Sequence, residues 1–330
     1  MACQPDTKVI SPSFYHWKSA FSPSDFEVNA LHQLKVKRLY VRYFDLKYSQ
    51  EKGLVYPEAK VSFDKTIHVS QEIVPVIYIT NQAILKTPTG EIELLGQKTL
   101  DLLFQLQQKS GFQAFREIQI DCDWNSRSRD RYFQLLAGIG KELRKRNIAL
   151  STTIRLHQLK FRKKTGVPPV DRGMLMFYNM GNLNDPQEKN SILNLDLGRT
   201  YLEDYQPYPV PLDIALPIFS WGVLHRKGKA IRLLNNLFPD QLEDVPGFKK
   251  ISKNRVKVGK SRYFRGQYLY KGDVIRMETV QDTALLRAAV FLAETLPQDS
   301  IHIALYHLDS LTLRHYELEA LATVFDTFHR

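Results

Sequence analysis

The sequence predicts an α/β fold, a closed (β/α)8 barrel, on three observations. Strand-like and helix-like segments alternate from the first residues of the chain to the last. The strand-like segments are mostly near-continuous apolar runs, which is typical of parallel strands covered by helices. Their number, eight, favours a closed barrel over an open sheet. The predicted strands comprise residues 13–17, 38–45, 73–80, 117–125, 148–157, 173–179, 212–220 and 301–308.

Helices are predicted where apolar residues recur at helical spacing between these strands. The clearest are residues 95–109, 128–146 and 280–296, and a last helix carries an apolar stripe from Leu318 to Phe328. Residues 46–72 are expected to be a long, mostly polar connection. We therefore expect a single barrel over residues 13–330, preceded by an N-terminal tether of residues 1–12.

One segment does not fit the alternation. Residues 226–276 hold fourteen Lys and Arg against four Asp and Glu, and they show no helical stripe. They are predicted to form an inserted basic subdomain, or a long loop, between strand seven and the helix that follows it. An excess of cations favours anionic polymers or membrane surfaces as partners. The basic residues lack a recognisable nucleic-acid module, so no nucleic-acid partner is expected.

Composition bounds the remaining possibilities. The 330 residues are 43% hydrophobic and 11% aromatic, enough for a sizeable core, and the net charge is +11. No apolar run reaches eighteen residues, so no transmembrane segment is expected. Two cysteines exclude a disulfide framework and a Cys-rich metal site. Cys122 is expected to be buried as a small hydrophobe.

The other cysteine, Cys3, lies in a segment, residues 1–7, that resembles the end of a bacterial lipoprotein signal, although the hydrophobic segment that should precede it is missing. Two alternatives stay open. The protein is anchored in the cell envelope through Cys3 if a signal segment is missing from this chain; otherwise the segment is a frayed terminus of a cytoplasmic protein.

The fourth strand, residues 117–125, ends in acid. Side chains along a strand alternate between its two faces, so Ile118, Ile120 and Cys122 share an apolar face. The opposite face carries Gln119, Asp121 and Asp123, with Asn125 next in register. Burying two carboxylates on one face is costly unless they are paired or used. The strand therefore indicates a functional site.

Polar and aromatic side chains occur at the carboxyl ends of the other strands too. In (β/α)8 barrels these ends meet at one mouth, which holds the active site. We therefore predict a pocket there. Its candidate residues are His16, Trp17, Arg42, Asp45, Asp121, Asp123, Asn125, Arg155, His157, Tyr178, Asn179, Trp221, His307 and Asp309.

The residue types favour a carbohydrate ligand, because sugar faces pack on aromatic rings and hydroxyls need charged and amide partners. Nucleotide cofactors are not expected, since no glycine-rich phosphate-binding motif follows a strand. The two histidines lack fitting carboxylate partners, and no His/Cys cluster occurs, so no metal site is expected. Ser220 lacks the G-x-S-x-G context of a nucleophile.

Several of these residues resemble those of family 18 chitinases. Residues 118–125 (IQIDCDWN) resemble the fourth-strand signature Asp-Gly-x-Asp-x-Asp-x-Glu, and residues 176–179 (MFYN) resemble the sixth-strand Met-x-Tyr-Asp. The insertion lies where those enzymes often carry an α+β module. The motifs FYHW, IDCDWN, TIRLHQ, TGVPPVDRG, MFYNMG and YHLDS together resemble a bacterial family known only as a domain of unknown function, which includes envelope lipoproteins.

The chitinase resemblance implies that Asp121, Asp123 and Tyr178 keep positions of the catalytic machinery. It also places Asn125 where the proton-donating glutamate should stand, and an amide cannot supply that proton. Three hypotheses follow. The protein is a glycoside hydrolase of altered mechanism, with Asp123 as the acid and Asp121, Asp45 or Asp309 as its partner; or it is a non-catalytic carbohydrate-binding protein; or it is a scaffold that uses the basic insertion on an anionic polymer or surface.

Structural roles are alternatives for some candidates. Arg155 could form an ion pair with Asp121 or Asp123 rather than contact a ligand, and Trp17 and Trp221 could belong to the core. His307 and Asp309 share one strand face and Tyr306 takes the other, so all three can line the pocket only if the strand ends before them.

Overall fold

The chain forms the predicted (β/α)8 barrel. The computed structural model describes residues 9–64, 66–243, 245–296 and 298–329. Within these residues eight parallel strands pair in chain order, and the first pairs with both the second and the eighth, which closes the barrel. The strands are β1 Val9–His16, β2 Arg38–Ser49, β3 Glu72–Ile79, β4 Glu117–Asp121, β5 Ala149–Arg155, β6 Arg172–Met176, β7 Leu212–Pro217 and β8 Ser300–Tyr306.

Helices cover the outside of the barrel. Residues such as Leu136, Ile139 and Leu143 of the helix Arg129–Arg144 and Leu285, Ala289 and Leu292 of the helix Asp282–Thr295 are buried in one core with the strands. The helices are α1 Asp25–Gln33, α2 Asn81–Lys86, α3 Ile92–Ser110, α4 Arg129–Arg144, α5 Leu156–Lys160, α6 Arg162–Thr165, α7 Leu195–Leu202, α8 Asp282–Thr295, α9 Ser310–Leu313 and α10 Leu318–Asp326.

The first strand starts earlier than predicted, and several later strands end earlier than predicted. β1 begins at Val9, so residues 9–12 belong to the barrel and not to the tether; the Ser-Pro-Ser at 11–13 hides the strand because these residues are typical of turns. β4 to β8 end earlier than expected, since the polar residues at their ends have left the sheet. In the clearest case, α5 starts at Leu156, directly after β5.

The polar connection predicted at residues 46–72 is wrong in its first part. β2 continues to Ser49, and a strand at Leu54–Glu58 returns antiparallel to it, pairing Asp45 with Glu58 and Tyr48 with Val55. Gly53 in the turn between them has a φ of 65°, a conformation that glycine adopts without strain. The hairpin therefore extends the sheet beyond Asp45 of β2.

The insertion between β7 and α8 is confirmed and has its own sheet. Five antiparallel strands, in the order Lys229–Asn235, Trp221–Arg226, Val274–Glu278, Arg255–Val258 and Phe248–Ser252, bury a second apolar cluster that includes Leu224, Leu234 and Ile275. A hairpin of Arg262–Phe264 and Gln267–Leu269 packs Leu269 and Phe264 on this cluster. The sheet begins before and ends after the predicted segment 226–276, because the strands Trp221–Arg226 and Val274–Glu278 are largely apolar and so do not belong to the basic segment.

In the described parts of the chain, no helix is long and apolar enough to cross a bilayer. Cys122 is a buried free thiol. Cys3 and the segment that resembles a lipoprotein signal lie outside the described residues, so anchoring through Cys3 stays a prediction.

Candidate active site

A cavity of about 510 Å³ opens at the carboxyl ends of the strands. Its walls come from most of the barrel strands and from the first turns of the insertion. Ten of the predicted residues line it: Trp17, Asp45, Asp121, Asp123, Arg155, Tyr178, Asn179, Trp221, His307 and Asp309. Because β8 ends at Tyr306, that residue also lines the cavity together with His307 and Asp309.

Four predicted residues do not line the cavity. His16 is buried against Phe21, and Arg42 lies behind the wall, bound to Asp45. His157 is exposed on α5. Asn125 is not in strand register, because β4 ends at Asp121 and the chain turns towards α4. The side-chain oxygen of Asn125 accepts the backbone N–H of Arg127 at 2.9 Å and so shapes that turn.

Asp121 ends β4 and is buried in the cavity floor. The Thr153 hydroxyl donates to Asp121 Oδ1 at 2.5 Å. Burial raises the pKa of the Asp121 carboxyl above its usual range, and neighbouring Asp123 adds to the rise, although the positive charge of Arg155 opposes both. The buried position of Asp121 thus favours the protonated form of its carboxyl.

Asp123 follows Asp121 beyond the end of the strand, and its side chain is 48% exposed. Arg155 Nε donates to Asp123 Oδ1 at 2.5 Å, so the structural pairing expected as an alternative for Arg155 is present. Asn81 holds the loop by donating its amide N–H to the Asp123 carbonyl. The guanidinium of Arg155 also lies 5.9 Å from the centre of the Tyr178 ring, within reach of a cation–π interaction.

The two remaining acids of the wall are also bound to cations. Arg42 donates from Nε and Nη2 to the two carboxylate oxygens of Asp45, at 2.8 and 2.5 Å. Lys18 Nζ lies 2.9 Å from Asp309 Oδ2. Burial opposes ionisation of Asp309, but the hydrogen bond and charge of Lys18, the backbone N–H of Thr312 and the charge of His307 together outweigh it and lower the pKa of Asp309. Asp309 also caps α9 through the backbone N–H groups of Leu311 and Thr312.

Aromatic rings form a continuous side of the cavity. Tyr306 packs against Tyr178 and Phe219, with ring centres 5.4 and 5.6 Å apart, and Phe219 packs edge-on against Trp221 at 5.3 Å. Trp17 lies 5.8 Å from Tyr306 on the other side. The ring faces and the charged pairs therefore share one concave surface, which suits a ligand that has both apolar and hydroxylated sides.

Glu278, which sequence reasoning missed, fixes the Trp221 ring. Glu278 Oε2 accepts the indole N–H of Trp221 at 2.9 Å and two hydrogen bonds from Ser191, and Oε1 accepts from Arg276 Nε at 2.6 Å. The only signal for this contact is strand pairing, which sets Trp221 opposite Glu278. Other lining residues outside the predicted set are Lys18, Tyr78, Met176, Phe219, Ser220, Asn235 and Asn236.

Among the described residues, no group of three or more His, Cys, Asp and Glu side chains is arranged to hold a metal ion. The groups of the cavity that can contact a ligand are carboxyl groups, Arg and Lys side chains and aromatic rings. One carboxyl has a raised pKa, and three carboxylates are held by Arg or Lys.

Comparison with known proteins relates this geometry to a class of folds. No protein-family profile matches the chain, and no curated protein is significantly similar to it in sequence. Solved structures are similar. The spore cortex-lytic enzyme SleL of Bacillus cereus has a TM-score of 0.54 at 15% identity, covering 96% of this chain and 75% of that one. SleL of Bacillus megaterium QM B1551 has a TM-score of 0.58 at 11% identity, covering 97% and 76%.

A third similar structure is the GH18 chitinase ChiB of Flavobacterium johnsoniae, with a TM-score of 0.56 at 10% identity, covering 98% of this chain and 94% of that one. At these identities the likeness shows the fold alone. The protein therefore has the glycoside-hydrolase-like barrel that the resemblance to family 18 chitinases led us to expect.

Proposed function

We propose that the cavity binds a carbohydrate and that the protein does not hydrolyse it. The aromatic side of the cavity, from Trp17 to Trp221, suits the faces of sugar rings, and the paired charges and amides suit their hydroxyls. The solved structures with this fold include chitinases and cortex-lytic enzymes, which adds support for a saccharide ligand.

The proposal that the protein does not hydrolyse the carbohydrate is carried by one observation. Of the four described carboxyl groups that line the cavity, Asp45, Asp123 and Asp309 each accept a hydrogen bond from a cation. Asp45 and Asp123 are thus occupied as hydrogen-bond acceptors of Arg42 and Arg155, and the pKa of Asp309, which a general acid would need raised, is instead lowered. Asn125, which takes the place of the chitinase acid in the sequence, has no titratable proton to donate and does not line the cavity.

Hydrolysis is the second candidate, and Asp121 is the reason to keep it. Its buried carboxyl has a raised pKa, which is the property required of a general acid. In that case Asp121 would donate the proton, Arg155 would stay charged beside it, and Tyr178 would orient the ligand.

The two candidates are separated by measuring binding and turnover on the same samples. Chitotetraose is titrated calorimetrically, a glycan array extends the search, and reducing ends are counted after prolonged incubation with each saccharide bound. We expect saturable binding without products, retained in Asp121→Asn and weakened in Trp221→Ala. Products that disappear in Asp121→Asn would establish the hydrolase instead, and a wild-type protein that binds no saccharide would overturn the proposal.

A further inference from the structure

The insertion carries a cluster of three tyrosines, two of them exposed, that does not line the cavity. Tyr263 is 74% exposed and Tyr270 is 51% exposed, and both lie at the hairpin of Arg262–Phe264 and Gln267–Leu269. Tyr268 lies between them, with ring centres 4.9 Å from Tyr263 and 5.0 Å from Tyr270. We call these three side chains the tyrosine face.

Strand geometry explains why the rings point outward. Tyr263 and Tyr268 are directly opposite each other in the antiparallel pair, so they share one face of the hairpin. Leu269 and Phe264 occupy the other face and pack on the apolar cluster of the insertion. The hairpin therefore has a buried side that anchors it, and burial in the fold does not account for the tyrosines on its outer side.

The tyrosine face lies beside several cationic side chains. Arg226 lies 4.2 Å from the centre of the Tyr270 ring and is held there by a bidentate pair with Asp273. Residues 260–271 contain four cations and no acid. Lys260 and Lys271 are exposed, and neither has an acidic partner within 4.0 Å in the part of the chain that the structure describes.

The hairpin also touches the rim of the cavity. Arg265, in its turn, donates from Nη1 to the carbonyl oxygens of Asn235 and Asn236, both at 2.9 Å. Asn235 and Asn236 line the cavity. Tyr263 and Tyr268 come two residues before and three residues after Arg265, so they lie within about 7–10 Å of the turn along the strands.

We propose that the tyrosine face is a second saccharide-binding surface, which takes a polysaccharide carrying negative charges beyond the end that occupies the cavity. Aromatic rings offer apolar faces to sugar rings at little cost in side-chain entropy. Unpaired lysines beside them favour carboxylated or other anionic sugars. The inference rests on the proposed carbohydrate ligand and adds that this ligand is a polymer with acidic groups.

The test uses polymers with matched backbones on the whole protein. Carboxymethyl chitin and glycol chitin, and carboxymethyl cellulose and hydroxyethyl cellulose, are compared by affinity electrophoresis, with chitotetraose as a probe of the cavity alone. We expect wild type to prefer a carboxymethylated polymer, and Tyr263→Ala/Tyr270→Ala to weaken that binding at least tenfold without changing chitotetraose affinity. Phe161→Ala, which removes an exposed ring elsewhere, should change neither.

Each failure has a separate signature. Polymer binding that is unaltered in Tyr263→Ala/Tyr270→Ala overturns this inference even if chitotetraose still binds. A wild-type protein that does not bind chitotetraose, but binds the polymers and loses that binding in Tyr263→Ala/Tyr270→Ala, overturns the proposed role of the cavity. Equal affinity for neutral and carboxymethylated polymers, or no polymer binding by wild type, overturns the inference. So does capture by phosphatidylglycerol vesicles, through Tyr263, in place of polymers.

Discussion

Arg155 donates a hydrogen bond to Asp123 across the mouth of the barrel, over 2.5 Å from Nε to Oδ1. The same positive charge opposes the rise in the pKa of Asp121, which burial causes. One guanidinium thus holds an exposed carboxylate in place and limits the protonation of a buried carboxyl. The charge balance of the cavity therefore depends on Arg155 through both carboxyl groups.

Removing Arg155 is therefore expected to be costly. Arg155→Ala removes the ion pair with Asp123 and leaves the buried Asp121 without the nearby positive charge that opposes its protonation. A buried group that loses its compensating partner typically costs about 1–3 kcal/mol, so we expect a loss of free energy of unfolding in that range at pH 7, measured by urea denaturation. Asp123→Asn is the matched control, because Asp123 is half exposed and should cost about 0–1 kcal/mol. Equal costs for the two variants would contradict this account.

Asp121→Asn should have the opposite effect on stability at neutral pH. A buried carboxyl whose pKa is raised in the folded state binds its proton more tightly than the unfolded chain does. Its contribution to stability is therefore greatest at low pH and declines as pH rises through the folded pKa. The amide is neutral at all pH values and can still accept from Thr153, so we expect the stability of the variant relative to wild type to be higher at pH 8 than at pH 4.

This prediction is checked by urea unfolding of both proteins across pH 4–8. Thr153→Val serves as the control, since it removes the hydrogen bond to Asp121 and keeps the ionisable group. A difference between Asp121→Asn and wild type that does not change with pH would show that Asp121 is ionised throughout that range.

His16 has a different pH signature. It is buried, neither ring nitrogen has a partner among the described residues, and burial together with the Lys18 charge lowers its pKa to about 4. The unfolded state, with a pKa of about 6.5, binds more protons between these values, so stability falls as the pH drops from about 6.5 to about 4. At about 1.4 kcal/mol per unit, the loss amounts to about 3 kcal/mol.

We expect His16→Phe, which can pack on Phe21 as the imidazole does, to remove most of this loss. Unfolding free energies at pH 7 and pH 4.5 measure it. The exposed His32→Gln should leave the pH dependence as in wild type. If His16→Phe loses as much stability on acidification as wild type, the acid sensitivity belongs to other groups.

The sequence was sufficient to predict the barrel and most of its mouth, because eight apolar runs and the polar residues after them are local features. Residues such as Asp121 and Trp221 were found in this way. His16 could have been excluded by strand parity, since Tyr15 donates to the interior Gln119 and its neighbour must point the other way. Arg42 could not have been excluded in the same way, because a bulge between Arg42 and Phe44 changes which side chains of β2 point to the barrel interior.

The remaining errors concern contacts between distant segments. Asn125 was placed in register because the end of β4 at Asp121 has no strong breaker, and only the cap-like Asn125–Ser128 turn shows that the chain has left the sheet. Glu278 lies far from Trp221 in the chain and meets it only through the pairing of insertion strands. Pairing register across such a distance is decided by packing, which local patterns do not report.

Glu278 offers the last and sharpest test of how the cavity is supported. Glu278 and Arg276 are each 1% exposed, so Glu278→Gln leaves the Arg276 guanidinium buried without its counter-charge. We expect a loss of about 3–5 kcal/mol of unfolding free energy and weaker chitotetraose binding, because the Trp221 indole loses the carboxylate that orients it. Arg276→Met/Glu278→Gln should recover much of the stability by removing the unpaired charge, but it should not recover the binding.

Trp221→Phe keeps an aromatic ring and removes the N–H donor, so it should weaken chitotetraose binding with little loss of stability. Full-strength chitotetraose binding in Glu278→Gln would show that packing alone holds Trp221 in place.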